Sequence, residues 1–189
     1  MKDIDIRKKL KSIDLHLTPG NEFTKVVDEL EIGYGDTRID LAVINGHLHG
    51  YEIKSNHDTL LRLEKQISEY SKVFDYLTFA IGDKHIDAAS KLIPSWCGLI
   101  KVSDCKESPD GLSFETIHES DKNPTVDNFT LAQFLWKDEC IQLLHSKNIT
   151  KGLNAKSRIV LWKMVADTFS SDELPLEVRT VLKARVNWR

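Results

Sequence analysis

Two carboxylates and a lysine stand close together in a strand-like segment of the chain, at Asp40 and in Glu52-Ile53-Lys54. Alternation along a strand places Glu52 and Lys54 on one face and Ile53 on the other. A structural salt bridge is the simpler explanation, but it is an unfavourable way to fill a buried position. Two carboxylates supply hard oxygen ligands for Mg²⁺ or Mn²⁺, and a nearby ammonium group can orient a water molecule. The pattern predicts a metal-dependent site for phosphodiester hydrolysis.

The hairpin that carries these residues decides whether they can meet. Residues 38–54 are typical of two antiparallel strands joined at Asn45-Gly46. A two-residue turn would leave Asp40 on the wrong face of the sheet. A three-residue loop that begins one residue earlier, with its glycine in the left-handed region, would pair Asp40 with Gly50 and bring it to the face of Glu52. The site therefore requires an odd-length loop.

The strand before this hairpin offers further acids for a metal site. Glu29 and Glu31 share one face of that strand, and either could complete the metal shell. We favour Glu29, because Glu31 lies nearer to the break in the pattern at residues 33–36. Glu22 is a third candidate.

Residues 59–74 have the periodicity of a helix, with Asp58 or Thr59 placed to cap it. Its apolar side chains recur at spacings of four, three and four residues: Leu63, Ile67, Tyr70 and Phe74. Beside them, Asp58, Arg62 and Gln66 form a polar stripe. This stripe is either solvated or leans over the site, where Gln66 would touch the water or metal shell and Arg62 a phosphate.

The histidines of the hairpin are weak candidates for metal ligands. Imidazole is a common ligand, but strand parity puts His47 and His49 on the face of Tyr51, opposite the carboxylates. We expect them to be exposed hairpin residues.

The chain changes character at Asn123-Pro124. Before this point, strands and helices alternate, which predicts an α/β body over residues 1–123. After it, three amphipathic stretches predict a helical portion over residues 124–189. The stretches are residues 130–146, 155–169 and 174–186.

Charge is distributed unevenly along the chain. The whole chain has a net charge of −3, but residues 151–189 hold eight Lys and Arg against four acids and are therefore +4. A basic segment beside an acidic body fits a surface that holds phosphates next to a metal site, with Lys183 and Arg185 as its candidates. Solvated helix faces are an equally good explanation.

Composition indicates a cytoplasmic protein. No apolar run approaches the length of a membrane helix, and the first residues do not resemble a signal peptide. The three cysteines, Cys97, Cys105 and Cys140, suit neither a disulfide framework nor a zinc site, so we expect reduced core thiols.

The combined pattern resembles the PD-(D/E)XK nuclease superfamily, whose fold is that of many restriction endonucleases. Asp40 and Glu52-Ile53-Lys54 match its central motif, and Gln66 with Tyr70 resembles its Gln-x-x-x-Tyr helix. Ile39 stands where the motif's name has proline. Flanking residues are similar to a subfamily of short proteins of bacterial mobile elements. The resemblance implies a restriction-endonuclease-like central mixed sheet flanked by helices, and Mg²⁺-dependent hydrolysis, most readily of DNA.

The resemblance also implies roles for individual residues. Asp40, Glu52 and the backbone carbonyl of Ile53 would ligate the metal, and Lys54 would position or activate the water. Glu29 would hold a second metal or its water shell. The phosphate would be oriented by Arg62 and Gln66.

Two other functions fit the same residues. The first is a nucleic-acid-binding module with the nuclease fold but no turnover. The second is a component of a defence system or mobile element whose C-terminal helices dock a partner, through residues such as Trp136, Trp162 and Trp188. A homodimer also fits the nuclease interpretation, because cutting both strands of a duplex often needs two sites.

Overall fold

A computed structural model describes residues 2–13, 24–33 and 37–186. Its six strands are β1 Lys25–Ile32, β2 Thr37–Ile44, β3 Leu48–Lys54, β4 Tyr76–Gly82, β5 Gly98–Asp104 and β6 Leu112–His118. Its α-helices are α1 Asp3–Ile13, α2 Leu63–Tyr70, α3 Ile86–Ala89, α4 Asn128–Ala132, α5 Lys137–Ser146, α6 Arg158–Thr168 and α7 Glu173–Ala184.

The strands form one mixed sheet in the order β1-β2-β3-β4-β5-β6. The first three strands are antiparallel, β3, β4 and β5 are parallel, and β6 returns antiparallel to β5. The predicted α/β architecture, a mixed sheet flanked by helices with a helical C-terminal portion, is confirmed.

Helices cover the two faces of the sheet unequally. On one face, Tyr51 and Ile53 of β3 pack in a small apolar cluster with Ile6 and Leu10 of α1. The other face carries the main core, which gathers side chains from α2, α3 and all four C-terminal helices. β3 is therefore covered on both sides, and its polar residues Glu52 and Lys54 are buried.

The C-terminal helices are fastened to the sheet by polar contacts as well. Arg179 of α7 donates to the Asp75 carboxylate at 2.9 Å, and the same carboxylate accepts the Leu48 N–H at 2.7 Å. Asn123 donates its side-chain amide to the Phe74 carbonyl at 2.7 Å. The boundary expected at Asn123-Pro124 lies where the chain passes from the strands to α4; the division into two domains stays a prediction.

The hairpin between β2 and β3 has the odd length that the site requires, but its register differs from the prediction. Ile44 pairs with Leu48, so the loop is Asn45-Gly46-His47, and Gly50 pairs with Ala42 instead of Asp40. Gly46 is not among the residues with positive φ. The Asn45 side chain explains this, because it accepts the His47 N–H at 3.0 Å and so forms the turn without a left-handed glycine.

Two helix predictions were too long. α2 begins at Leu63, and Asp58 does not cap it; the Asp58 carboxylate instead accepts the backbone N–H of Ser55 at 2.8 Å. The stretch 130–146 divides into α4 and α5, because the backbone between them serves as a docking point. There the Leu135 carbonyl accepts the indole N–H of Trp162 at 2.9 Å.

No helix among the described residues is long and apolar enough to cross a membrane. All three cysteines are unpaired. Cys97 and Cys140 are buried as expected, whereas Cys105 is partly exposed at the end of β5.

Candidate metal centre and cleft

A cleft of about 390 Å³ opens where the end of β3 meets β1, β2 and α2. It brings together nine of the residues singled out in the sequence: Glu29, Glu31, Asp40, Glu52, Ile53, Lys54, Asp58, Arg62 and Gln66. The other residues that line it are Asp3, Thr37, Arg38 and Lys65.

Glu52 is the centre of the hydrogen-bond network in this cleft. Only 2% of its surface is exposed. Its Oε1 accepts bonds from the Lys54 ammonium and the Gln66 amide, both at 2.5 Å. Its Oε2 lies 2.7 Å from the Tyr70 hydroxyl, which is also 2.6 Å from the Arg38 carbonyl. Helix α2 thus places Gln66 and Tyr70, one turn apart, directly on the buried carboxylate.

Asp40 lies where β2 and β3 diverge. The last registered pair before it is Leu41 with Tyr51. Beyond that pair, the Asp40 Oδ2 accepts the backbone N–H of Ile53 at 2.7 Å, so the carboxylate occupies the gap between the strands. The sequence predicted that Asp40 would share a face of the sheet with Glu52. In the structure both residues line the same cleft, and the Asp40 carboxylate lies between β2 and β3.

The electrostatics of the two carboxylates are unfavourable for a double negative charge. Burial, with a further contribution from the charge of Glu52, raises the pKa of Asp40 to about 7. Burial also raises the pKa of Glu52, despite the opposing effect of Lys54. A divalent cation bound to both carboxylates would stabilise their ionised forms, because a nearby positive charge lowers the pKa of a carboxyl group.

The oxygen donors of the cleft suit Mg²⁺ or Mn²⁺, ions that keep several water ligands, better than an ion whose ligands are all protein side chains. Among the described residues, no group of three or more His, Cys, Asp and Glu side chains could hold an ion. Mg²⁺ does not need such a group, because it binds one or two carboxylates and keeps several waters. Asp40 and Glu52 could supply the carboxylates, and the buried Gln66 Oε1, which has no hydrogen-bond partner among the described residues, could accept a hydrogen bond from a water.

Glu29 adopts an unusual backbone conformation next to this site. Its φ is 53°, in the left-handed region, where glutamate is rare. The conformation reverses the side-chain alternation of β1, since Val27 and Leu30 both pack against the main core. Glu29 itself is exposed and lines the cleft, as does Glu31. Glu22 lies outside the described residues.

Arg7 of α1 is a site residue that the sequence did not reveal. Its Nη2 donates to the Glu29 Oε1 at 2.6 Å and to the Asp40 Oδ1 at 3.1 Å. Its Nη1 donates to the Asp40 backbone carbonyl at 2.9 Å. The helix that carries Arg7 lies far from Asp40 in the sequence, so no local pattern could have linked them.

One wall of the cleft is basic. Arg62, which directly precedes α2, and Lys65 of α2 line it from one side and Arg38 of β2 from another. The side chains of Arg62 and Lys65 make no hydrogen bond or ion pair with other described residues. The Arg38 side chain is 58% exposed, with one long contact of 3.5 Å to Glu29. Lys65 adjoins Gln66 in sequence, which is the only signal that could have identified it.

Lys183 and Arg185, the phosphate-binding candidates in the basic C-terminal segment, do not line this cleft. Arg185 is buried and ion-paired to Glu139, and it also donates to the Phe134 carbonyl at 2.5 Å. Arg185 therefore has a structural partner, and the role of Lys183 and Arg185 in binding phosphate stays a prediction.

The expectation that both hairpin histidines are exposed was half right. His47 is exposed, but His49 is partly buried, stacked on Tyr51 with ring centroids 4.2 Å apart, and 2.8 Å from the Thr78 hydroxyl. Burial lowers the pKa of His49 to about 3. Neither histidine lines the cleft.

Comparison with known proteins gives the family. A sequence model described as bacteriophage P4 protein cII matches residues 9–188. The chain belongs to this family. Protein cII of Enterobacteria phage P4 is 29% identical over 125 residues, which cover 66% of this chain and 46% of the phage protein. The aligned part therefore spans about half the length of that cII protein.

A comparison of folds finds SfsA of Pyrococcus furiosus in complex with Ca²⁺. The TM-score is 0.35 and the identity 13%, over 62% of this chain and 63% of the SfsA chain. A TM-score of this size does not establish a common fold.

Proposed function

We propose that this member of the P4 cII family is a metal-dependent nuclease of the PD-(D/E)XK type that hydrolyses phosphodiester bonds, with DNA as its substrate. The observation that carries the proposal is the buried Glu52 carboxylate, bound to Lys54 and Gln66 and open to a cleft that also contains Asp40. A purely structural ion pair would not require the unsatisfied Gln66 Oε1 beside it.

Asp40, Glu52 and the backbone carbonyl of Ile53 are the groups that would hold Mg²⁺ or Mn²⁺. When bound, the cation would polarise the phosphoryl oxygen and lower the pKa of a coordinated water. The two carboxylates are each held in place by the protein, because the Ile53 N–H donates to Asp40 and the Gln66 side chain of α2 donates to Glu52. Little reorganisation is then needed for binding.

Lys54 and Gln66 would act on the attacking water. The Lys54 ammonium, on the same face of β3 as Glu52, is held in the cleft by its bond to Oε1. From there it can orient a water and offset negative charge that builds up on the phosphate. The unsatisfied Oε1 of Gln66 can accept a hydrogen bond from that water.

The basic wall would hold the substrate. Lys65 lies on the helix that also carries Gln66, Arg62 directly precedes that helix, and Arg38 is two residues before Asp40. The side chains of Arg62 and Lys65 are suited to phosphates, since binding there breaks no ion pair with the described residues, and Arg38 has only its long contact with Glu29. This wall replaces the C-terminal candidates Lys183 and Arg185 in the proposal.

The test is cleavage of labelled single-stranded, duplex and branched DNA in Mg²⁺ or Mn²⁺. We expect Glu52→Gln and Lys54→Met to lower the rate by about 10³-fold, in the range found for loss of electrostatic and acid–base groups. Both substitutions keep the approximate volume of the side chain, which limits damage to the core. Calorimetry with Mn²⁺ should show that Glu52→Gln also loses metal binding.

Lys101→Met is the matched control. Lys101 is also a strand lysine paired to a glutamate, Glu115 at 2.8 Å, but it does not line the cleft. The rate of this variant should equal that of wild type. Cleavage that persists in Lys54→Met, or that falls equally in Lys101→Met, would contradict the proposal.

Nucleic-acid binding without cleavage is the second candidate. Two ion pairs favour it: Glu52 with Lys54 and Asp40 with Arg7. These pairs reduce the repulsion between the carboxylates and the phosphates of DNA even without a bound cation. A protein that binds DNA equally well in Mg²⁺ and in EDTA, and cleaves no substrate, would support this alternative.

A further inference from the structure

We propose that the centre takes one divalent cation, between Asp40 and Glu52, and that the Arg7 guanidinium is a built-in positive charge where a second cation would otherwise bind. The inference rests on the proposed function and changes the role of Glu29. The sequence made Glu29 a ligand of a second metal or its water shell; here it is instead the partner of Arg7.

The contacts of Arg7 are those expected of a bridging cation. Its guanidinium joins Glu29 and Asp40, which lie on neighbouring strands between the registered pairs Asp28–Leu41 and Leu30–Ile39. It also reaches the Asp3 carboxylate at 3.3 Å. A second metal ion that used Glu29 and Asp40 would have to occupy the same position.

Arg7 is held firmly in this position. Its side chain is only 11% exposed. The neighbours Ile6 and Leu10 are fully buried under the sheet, so α1 is fixed to the face opposite α2. The bond from Nη1 to the Asp40 carbonyl ties the guanidinium to the backbone as well as to the carboxylates. A metal ion would therefore not displace Arg7 by a simple rotation of its side chain.

The charges of the inner site favour one cation over two. Ion pairs here involve five acids and four bases, so the ionised set has a net charge of −1: Asp3, Asp28, Glu29, Asp40 and Glu52 against Arg7, Lys11, Arg38 and Lys54. One divalent cation makes it +1, which one phosphodiester anion neutralises. A second would make it +3 in a partly buried site, where unbalanced charge is costly. Without Arg7, two cations would leave +2 and two free carboxylates to bind the second.

The experiment is calorimetric titration of the full chain with Mn²⁺ alone, combined with electron paramagnetic resonance to count bound ions. We expect one Mn²⁺ in wild type and in Arg7→Lys, which keeps the charge. Arg7→Gln should bind two, and Arg7→Gln combined with Glu29→Gln should return to one. Thermal melting of each variant establishes that it is folded.

Several outcomes overturn the inference. Two Mn²⁺ ions in wild type would do so even if Arg7→Gln did not fold, and that result, together with DNA cleavage, would leave the proposed function intact. A single ion in folded Arg7→Gln would also overturn it. If wild type bound no Mn²⁺, both this inference and the proposed metal-dependent function would fail.

Discussion

Two buried charge networks of this protein use similar residues in opposite ways. In the cleft, Glu52 is bound by Lys54, Gln66 and Tyr70. Between the C-terminal helices, Arg185 is bound by Glu139, and its guanidinium lies 4.3 Å from the ring centroid of Trp136.

The networks differ in what they leave unsatisfied. Arg185 donates from Nε and Nη2 to the two oxygens of Glu139, and that carboxylate also accepts the Trp136 N–H at 2.6 Å, which caps α5. In the cleft, Gln66 Oε1 has no partner and the pKa of Glu52 is raised by burial. The carboxylate of the first network therefore has its partners within the protein, whereas the second network leaves an acceptor open beside the cleft. Burial of charge alone does not identify a functional site; an unsatisfied group next to a charged cleft is the stronger indication.

The same contrast appears in the backbone. In the C-terminal region, positive φ angles occur at Asn148 and Gly152, residue types that tolerate the left-handed region. Beside the cleft, the positive φ is at Glu29. Strain of this kind persists when the surrounding structure imposes it, and it is concentrated at functional sites.

The largest expected effect breaks the C-terminal network. Arg185→Met should lower the free energy of unfolding by about 3 kcal/mol, because Glu139, whose side chain is only 13% exposed, would lose its partner. Denaturant unfolding measures this, and Mn²⁺ affinity should not change. Adding Glu139→Gln should restore much of the stability, since the amide can still cap α5 without a charge. If Arg185→Met weakened DNA binding while its stability was unchanged, Arg185 would be a phosphate ligand after all.

The next effect concerns the basic wall. The double variant Arg62→Gln with Lys65→Gln should bind DNA about 10- to 100-fold more weakly at low salt, and the slope of log affinity against log salt should fall by about 2. Binding is measured in Ca²⁺ to limit cleavage, with Lys163→Gln as the control. Lys163 is an exposed helix lysine outside the cleft. Equal losses in the two proteins would mean that general charge, and not the wall, binds DNA.

The partly buried His49, which lies outside both networks, predicts that the stability of the protein depends on pH. The folded-state pKa of His49 is about 3, below its unfolded value of 6.5, so the unfolded chain binds the proton first. Stability should therefore fall as the pH drops from 6.5 toward 3, by at most about 1.4 kcal/mol per pH unit. His49→Gln, which can keep the bond to Thr78, should remove this part of the pH dependence in unfolding experiments. Parallel curves for the two proteins would show that His49 titrates normally.

The smallest effect tests the strain at Glu29. Glycine usually weakens a strand relative to alanine, but at a left-handed position the order should reverse. Glu29→Gly should therefore be more stable than Glu29→Ala by about 1 kcal/mol, because both lose the Arg7 ion pair and only alanine keeps the strain. Chemical denaturation of the two variants gives the difference. A more stable alanine variant would show that φ at this position is negative.

Much of this arrangement could be predicted from the sequence, because it depends on local patterns. Strand parity placed Glu52 and Lys54 on one face of β3, and helical spacing placed Gln66 on α2. The resemblance to a known motif added Tyr70, which contacts the same carboxylate. These features need only the periods of strands and helices.

The remainder depends on contacts between distant segments. Arg7 and Asp40 are 33 residues apart and meet only because α1 packs across β3. Arg185 and Glu139 are 46 residues apart and form an ion pair that the charge distribution along the sequence did not predict. Residues 130–146 are divided into two helices, and between these helices the Leu135 carbonyl accepts a hydrogen bond from the Trp162 indole. Tertiary partners of this kind leave no periodic signal.

The three-residue loop between β2 and β3 has an evolutionary consequence. Side chains alternate along β2, so that Leu41 and Val43 lie under α1 while Ala42 and Ile44 join the opposite core. Insertion or deletion of one residue at Asn45-Gly46-His47, followed by a shift in pairing, would exchange these faces and separate Asp40 from Ile53. Two residues could be gained or lost without that exchange. Among descendants that keep the cleft, loop length here should drift in steps of two.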